Sequence, residues 1–396
     1  MTNIDALLKK HCAEGVEFKK LSDLGSLANI GVDKKIRDNE QEIRLLNFVD
    51  VFNNQYINKE TPTMVVSASD RKIKDCNIQK GDIFITPSSE TLDEIGYSAM
   101  ATEDINDAVY SYHIMRFRIK SDLINPRFLN YLFSSSNVRQ YIRKNAQGIT
   151  RFGLTQPKWN AMPIPVPPLE FQQEIVKILD RFAELEAELE AELEARKKQY
   201  EYYRNDLLSF EGKDVEWKKI GQIADVFTGG EAPQNCIKGE IPTANLKFPI
   251  YANGFDIYGY TDSYKIDKDA VTISSIGANT GTIYFRKAFF TPIIRLKVIL
   301  PKNDDLLAKY IFHFLKTLKI ITKKSSVPNM NADEVKNIKI PLIALSEQER
   351  IVNILDKFDA LVNDISSGIP AEIQARRKQY EYYRNKLLTF KKLENE

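Results

Sequence analysis

Hydrophobic residues between Leu169 and Phe210 keep a seven-residue spacing. Ile175, Phe182, Leu189, Tyr203 and Phe210 fall on one line, broken once at Arg196, with Ile178 and Leu185 offset by three. That pattern predicts a long helix with a coiled-coil seam rather than a broad apolar face. Pro163, Pro165, Pro167 and Pro168 prevent an earlier start, and neither Pro nor Gly follows until Gly212. About forty residues at ~1.5 Å each make a rod on the order of 60 Å. A second helical stretch opens at Ser346-Glu347-Gln348-Glu349, which reads as a capping box. It is interrupted at Ser366-Ser367-Gly368-Ile369-Pro370, and a further helix is expected from Ala371 to about Lys391. Outside these stretches the period shortens. Val65-Val66, Ile83-Phe84-Ile85, His113 to Ile119 and Val271-Thr272-Ile273 predict strands, whereas Arg127 to Phe133 and Leu307 to Leu315 predict helices. The expected fold class is therefore mixed α/β, with two globular parts, 13–165 and 213–341.

The pattern occurs twice. Arg196 to Phe210 recurs as Arg376 to Phe390, an offset of 180, and only Lys197/Arg377, Asp206/Lys386 and Ser209/Thr389 differ among fifteen positions. Val16 to Leu21 matches Val215 to Ile220 at an offset of 199, and Ile83 to Thr86 matches Val271 to Ser274 at 188. Ile164-Pro165-Val166 and Ile175 to Phe182 match Ile340-Pro341-Leu342 and Ile351 to Phe358 at 176. The first globular part is thus longer by 199 − 176 = 23 residues, and the second helical part by 180 − 176 = 4. So long a period excludes a solenoid and implies a tandem duplication, with diverged interiors and a surface presented twice. The first helix also holds three copies of one tetrad, Ala183-Glu184-Leu185-Glu186 through Glu194, a strongly helix-forming unit that can be gained or lost in register.

Composition changes the picture in one respect. Hydrophobic residues make up 43% and charged residues 28% of the 396, as in a soluble globular protein, and no apolar run reaches membrane-spanning length. The N-terminus lacks the pattern of a signal peptide, so a cytoplasmic protein is expected. Cys12, Cys76 and Cys236 and the three scattered histidines suggest neither disulfides nor a metal site, and no cofactor is expected. The net charge is only +2, but 110–165 holds nine Lys/Arg against one acid and 286–341 twelve against four, +8 in each. The first helical part, 166–212, holds six bases against twelve acids. Basic segments at matching places point to phosphate.

Catalytic signatures are missing. No Walker loop is present, and Pro165-Val166-Pro167-Pro168-Leu169 lacks the amide and aromatic of a methyltransferase motif. Glu17-Phe18-Lys19 and Glu334-Val335-Lys336 resemble half of a nuclease metal site without a placed partner acid. A self-contained nuclease or methyltransferase is the principal alternative to a non-enzymatic DNA reader; a coiled-coil protein that never touches DNA is the other.

The lead-in Pro167-Pro168-Leu169-Glu170 to Ile175, the Arg-Lys-Lys-Gln-Tyr-x-Tyr-Tyr-Arg helix end, Glu14 to Leu21 and Gly81 to Thr86 together resemble the specificity subunits of type I restriction–modification systems, over essentially the whole chain. The resemblance implies two target-recognition domains (1–165 and 213–341), each reading half of a split, asymmetric DNA site. It also implies two antiparallel coiled-coil spacer helices (166–212 and 342–396). Two methyltransferase subunits and motor–nuclease restriction subunits are the implied partners. Loops rich in short polar and basic residues are the expected DNA contacts: Ser88 and Ser89 with Ser274 and Ser275, Thr150 and Arg151 with Lys323 and Lys324, and Asn279 and Thr280. Tyr203 and Tyr383 are expected on the helix seam, leaving Tyr200, Arg204, Tyr380 and Arg384 to face the methyltransferase partner.

Overall fold

A computed structural model describes residues 3–239, 241–277, 279–318 and 330–394. The chain divides into two compact units, Met1–Glu188 with Gln374–Glu396, and Leu189–Ile373. Each unit therefore draws helix from both halves of the sequence.

In the first unit, a five-stranded sheet runs in the order Gly25–Ala28, Met115–Ile119, Ile83–Ile85, Ser98–Ala101, Tyr56–Ile57. A four-stranded sheet runs Met64–Ala68, Gln41–Leu46, Ile105–Tyr110, Asn77–Ile78. The second unit has two four-stranded sheets: Ala224–Thr228, Lys297–Pro301, Ala270–Ile273, Ile283–Arg286, and Cys236–Lys238, Ile257–Thr261, Phe248–Tyr251, Thr291–Pro292. The expected strands at 65–66, 83–85 and 271–273 and the helices Pro126–Leu132 and Ala308–Leu315 are present. The strand expected from His113 starts only at Met115, because Tyr112 and His113 form a turn closed by the Ile114 amide on the Ser111 carbonyl.

Each unit is closed by its own ends. Glu17–Lys20 pairs antiparallel with Pro163–Val166, and Glu216–Lys219 pairs antiparallel with Lys339–Leu342. Those are the segments that match at offsets of 199 and 176, so the best-matched sequence is the closing ribbon. Next to it a buried glutamine locks the helix start. Gln172 accepts from the Asn125 amide (2.7 Å) and donates to the carbonyls of Leu123 and Pro167 (both 2.8 Å). Gln348 accepts from the Leu307 amide (3.0 Å) and donates to the carbonyls of Asp305 and Ile343 (both 2.9 Å). About two turns further, Asp180 accepts from Tyr131 (2.6 Å), Tyr56 (2.5 Å) and Arg127 (2.8 Å), while its counterpart Asp356 pairs with His313 (2.9 Å) and Lys309.

The helix Leu169–Leu207 is continuous, as its periodicity predicts. The second stretch is two helices, Leu345–Asn363 and Ile369–Leu387. Asp364 stops the first by accepting from the Ser366 amide (2.7 Å) and from the Ser366 and Ser367 hydroxyls (2.6 and 2.5 Å). A Cβ on Gly368 would lie 2.5 Å from the Ala360 carbonyl oxygen, so only glycine fits the break. Pro370 then occupies the first turn of the next helix. The expected capping box is not formed: the N-cap is Ala344, which places Ser346 inside the first turn.

Candidate nucleic-acid interface

The first unit brings three of its predicted contact residues together. Gln147 and Gly153 exchange backbone hydrogen bonds (2.9 and 3.0 Å), closing a hairpin that exposes Thr150 and Arg151 at its tip. Phe152–Gly153 pairs with Ser88–Ser89, and Arg151 donates through Nε to the Ser88 hydroxyl at 3.0 Å. Ser89 does not belong to this surface. It is buried, and its hydroxyl donates to Glu94, a bond that closes the loop from inside.

Much of the local positive charge is spent internally. Arg118 forms a two-pronged pair with buried Asp82 (2.7 and 2.6 Å), Arg116 donates to Asn77, and Arg139 donates to the carbonyls of Ile95 and Asp93. Lys120, Arg127, Arg143, Lys144, Arg151 and Lys158 are the exposed cations of the basic segment, with Arg127 and Arg143 paired to Asp180 and Asp93. His113 faces the same field: burial, then Lys34 and Arg151, push its pKa below the usual histidine value.

In the second unit Ser274 and Ser275 are buried and serve as scaffold, which corrects their expected role. The Ser274 hydroxyl donates to the Asn253 carbonyl (2.8 Å), and the Ser275 hydroxyl donates to the Arg295 carbonyl (2.6 Å). Strand register follows the sequence offset of 188 and not the grouping of Ser88 with Ser274. Ile85 and Ile273 pair with Met115 and Lys297 respectively, so Ser274 corresponds to Thr86 rather than to Ser88. Asn279 is exposed, and Thr280 is half-buried with its hydroxyl on the Gly277 carbonyl (2.6 Å). Lys323 and Lys324 lie outside the described residues. Arg286 leaves the basic surface as well: it is buried between the rings of Tyr251 (3.8 Å) and Tyr284 (4.8 Å), donating to the carbonyls of Phe255 and Gly254.

A neighbouring turn leaves little mark in the sequence. Ile294 and Arg295 are exposed and adopt left-handed backbone angles (φ 49° and 58°). Non-glycine residues with positive φ leave no compositional trace, and only the Gly229-Gly230 pair packed beside them hints at a tight approach.

The helix ends require another correction. Tyr200 is buried, its hydroxyl donating to Asp359 (3.2 Å) and lying 3.4 Å from His313 Nδ1. Tyr200 and Tyr203 both stack on Phe358, and Tyr383 stacks on Phe182 while Tyr380 packs against the same ring at a tilt of 50° (ring centroids 5.4 to 6.3 Å). Arg204 and Arg384 lie over the rings of Tyr200 and Tyr380, at 5.4 Å in each case. These residues pack the helices. The solvent instead meets Lys198, Glu201, Tyr202 and Asn205, spaced i, i+3, i+4, i+7, and the identical Lys378, Glu381 and Tyr382, while the fourth copy, Asn385, is half-buried and accepts from the Ser136 hydroxyl at 2.9 Å. Tyr202 is 66% and Tyr382 60% exposed. Among the described residues no group of His, Cys, Asp and Glu is placed to hold a metal ion, and no helix is long and apolar enough to cross a membrane.

Comparison with known proteins places this architecture. Residues 13–195 and 212–375 match the type I restriction modification DNA specificity domain. The chain is 39% identical over 264 residues to the specificity subunit of the type I restriction enzyme EcoR124I/EcoR124II of Escherichia coli, covering 59% of this chain and 64% of that one. It is 35% identical over 291 residues to a type I restriction enzyme specificity subunit of Haemophilus influenzae, covering 67% and 73%. The fold is similar to a crystal structure of the type I restriction–modification S subunit of M. genitalium, with a TM-score of 0.59 at 16% identity over 94% of this chain and 96% of that one.

Proposed function

Because the chain belongs to the type I restriction–modification DNA specificity family, we propose that it reads a two-part, asymmetric DNA site with a fixed spacer and holds two methyltransferase subunits, performing no chemistry itself. Residues 1–165 and 213–341 act as the two recognition domains, and 166–212 and 342–396 as the helical spacers between them. Motor–nuclease restriction subunits complete the assembly, which works in the cytoplasm.

One observation carries this reading. The closing ribbons and glutamine locks are duplicated bond for bond, while the sheets between them differ in strand number and order. A common frame with two different interiors suits two readers of different half-sites, since identical readers would specify a palindrome. The frame also presents Lys198, Glu201 and Tyr202 and their copies Lys378, Glu381 and Tyr382 outward without change. Packing does not demand identity at solvent-facing positions. A stripe repeated there fits two copies of one protein partner, with an exposed tyrosine as anchor.

The deciding experiment maps methylated bases genome-wide with the gene present and deleted. The reading expects one two-part motif to lose methylation on deletion. Methyl transfer to DNA by the purified chain alone, given a methyl donor, would favour a self-contained enzyme instead.

A further inference from the structure

Both units enter an interior strand through a turn with the same hydrogen bonds, although only the second has left-handed central residues. In the first, the Ile114 amide donates to the Ser111 carbonyl (3.1 Å), the Tyr112 amide donates to the Val32 carbonyl (3.2 Å), and Val32 bridges Ser111 in parallel. In the second, the Leu296 amide donates to the Ile293 carbonyl (3.1 Å), the Ile294 amide donates to the Gly230 carbonyl (2.8 Å), and Gly230 bridges Ile293 in parallel. A glycine lies against each turn. A Cβ on Gly31 would sit 2.2 Å from the Tyr112 nitrogen, and one on Gly229 would sit 2.8 Å from the Ile293 nitrogen. The frame is held in common, and the two central residues are not: Tyr112-His113 in one unit, Ile294-Arg295 in the other.

Three of those central residues face outward amid positive charge, and the fourth, His113, is half-buried. Tyr112 is 49% and Ile294 43% exposed, and Arg295 is exposed. The exposed cations Lys34 and Arg151 lie close enough to His113 to disfavour its protonation. In the second unit the exposed Lys265 places its Nζ 3.9 Å from where a Gly230 Cβ would stand. The left-handed backbone at Ile294 and Arg295 is unfavourable for L-residues, yet separate elements hold it. Asn253 donates to the Ile294 carbonyl, Ser275 to the Arg295 carbonyl, and the Arg295 amide to the Gly229 carbonyl at 3.1 Å. Strain fixed from several sides, beneath an exposed guanidinium, is the mark of a placed functional group. Arg295 also borders a cavity of about 520 Å³ lined by Gly229, Tyr258, Ile276 and Ile294.

We propose that this turn is the base-reading element of both units. Arg295 addresses a purine edge beside an apolar contact from Ile294, Tyr112 and His113 address a base step of the other half-site, and Lys34, Arg151 and Lys265 meet the flanking phosphates. The inference rests on the DNA-reading function proposed above. A guanidinium fork matches the two acceptors of guanine in the major groove, whereas a lysine in its place would be a point charge without that geometry.

The test uses the full chain assembled with its methyltransferase subunits and a panel of duplexes varied one base pair at a time. Arg295→Ala should slow methylation of the cognate site by roughly ten- to a hundredfold and relax one position of one half-site, leaving the other half-site strict. Tyr112→Ala should do the same for the other half-site. Arg295→Lys should recover rate without recovering the lost discrimination. Uniform weakening on every duplex, with a salt slope reduced by about one, would make Arg295 a phosphate contact and overturn the proposal. Unchanged base preferences in Arg295→Ala and Tyr112→Ala would overturn it as well. A wild-type complex that prefers no two-part site fails the functional reading itself, and does so before any variant is made.

Discussion

At the scale of single residues, side chains that look alike in the sequence divide sharply by what they touch. Arg151 stands on an exposed hairpin tip, and Arg286 is sealed between two tyrosines, though both lie in basic segments. Arg151→Ala should therefore weaken DNA binding on all sequences and lower the salt slope by roughly one, measured by titration at several salt concentrations. Lys324→Ala, outside the described residues, is expected to behave in the same way. Gln172 illustrates the opposite error of inspection. Gln172 sits beside Gln173 and Glu174 at a polar helix start, yet it satisfies one amide and two carbonyls in the interior. Gln172→Ala, or Gln348→Ala in the other unit, should cost about 2–4 kcal/mol in denaturant unfolding, because polar groups are left buried without partners. Asp356 gives a pH dependence. Burial raises its pKa, but hydrogen bonds from His313 and Lys309 outweigh that and hold it below the ordinary value of 3.8. A carboxyl depressed on folding stabilises the fold above its unfolded pKa and loses that contribution as pH falls through the folded one. Unfolding midpoints followed below about pH 4 should fall more steeply for the wild-type chain than for Asp356→Asn.

At the scale of elements, the long helix was legible because proline and glycine bound it and forty positions vote on one period. Its rotational phase was not. The heptad line through Tyr203 leaves Tyr200 outside, but Phe358 packs against both, so the partner helix sets which residues are enclosed. The break near Ser366 was visible from Gly368 and Pro370, whereas the capping box at Ser346 was not formed because the helix begins one residue before it. The turn at Ile294 was invisible, since its conformation is imposed by Gly229, Asn253 and Ser275 from far along the chain. The outward stripe yields its own prediction. Tyr202→Ala should leave one methyltransferase subunit bound where two are expected, and Tyr202→Ala with Tyr382→Ala should leave none, read by native mass measurement. Two subunits retained by the double variant would move the interface elsewhere.

At the scale of the whole molecule, the duplication was the clearest message of the sequence, and the reason for its uneven quality came from the ribbons and locks at the ends of each unit. On the reading that helical spacers separate two DNA readers, the tetrads of Leu169–Leu207 set the spacing. Removing Ala187 to Glu190 shortens the helix by about 6 Å and turns its continuation by only about 40°, which leaves the seam nearly in phase. The deletion should retain both half-sites and shorten the unread spacer by one or two base pairs, at ~3.4 Å each, in methylation mapping. An unchanged spacer would show that the helix is not the ruler. The closing ribbon has a consequence for inheritance. Glu17–Lys20 with Pro163–Val166 and Glu216–Lys219 with Lys339–Leu342 are interchangeable boundaries, each followed by the same glutamine lock. On the proposed reading, a genetic crossover at these boundaries would exchange an entire interior and keep the ribbon and lock of the frame in place. A lineage carrying this gene would then acquire a new half-site in one recombination event, without waiting for its partners to change.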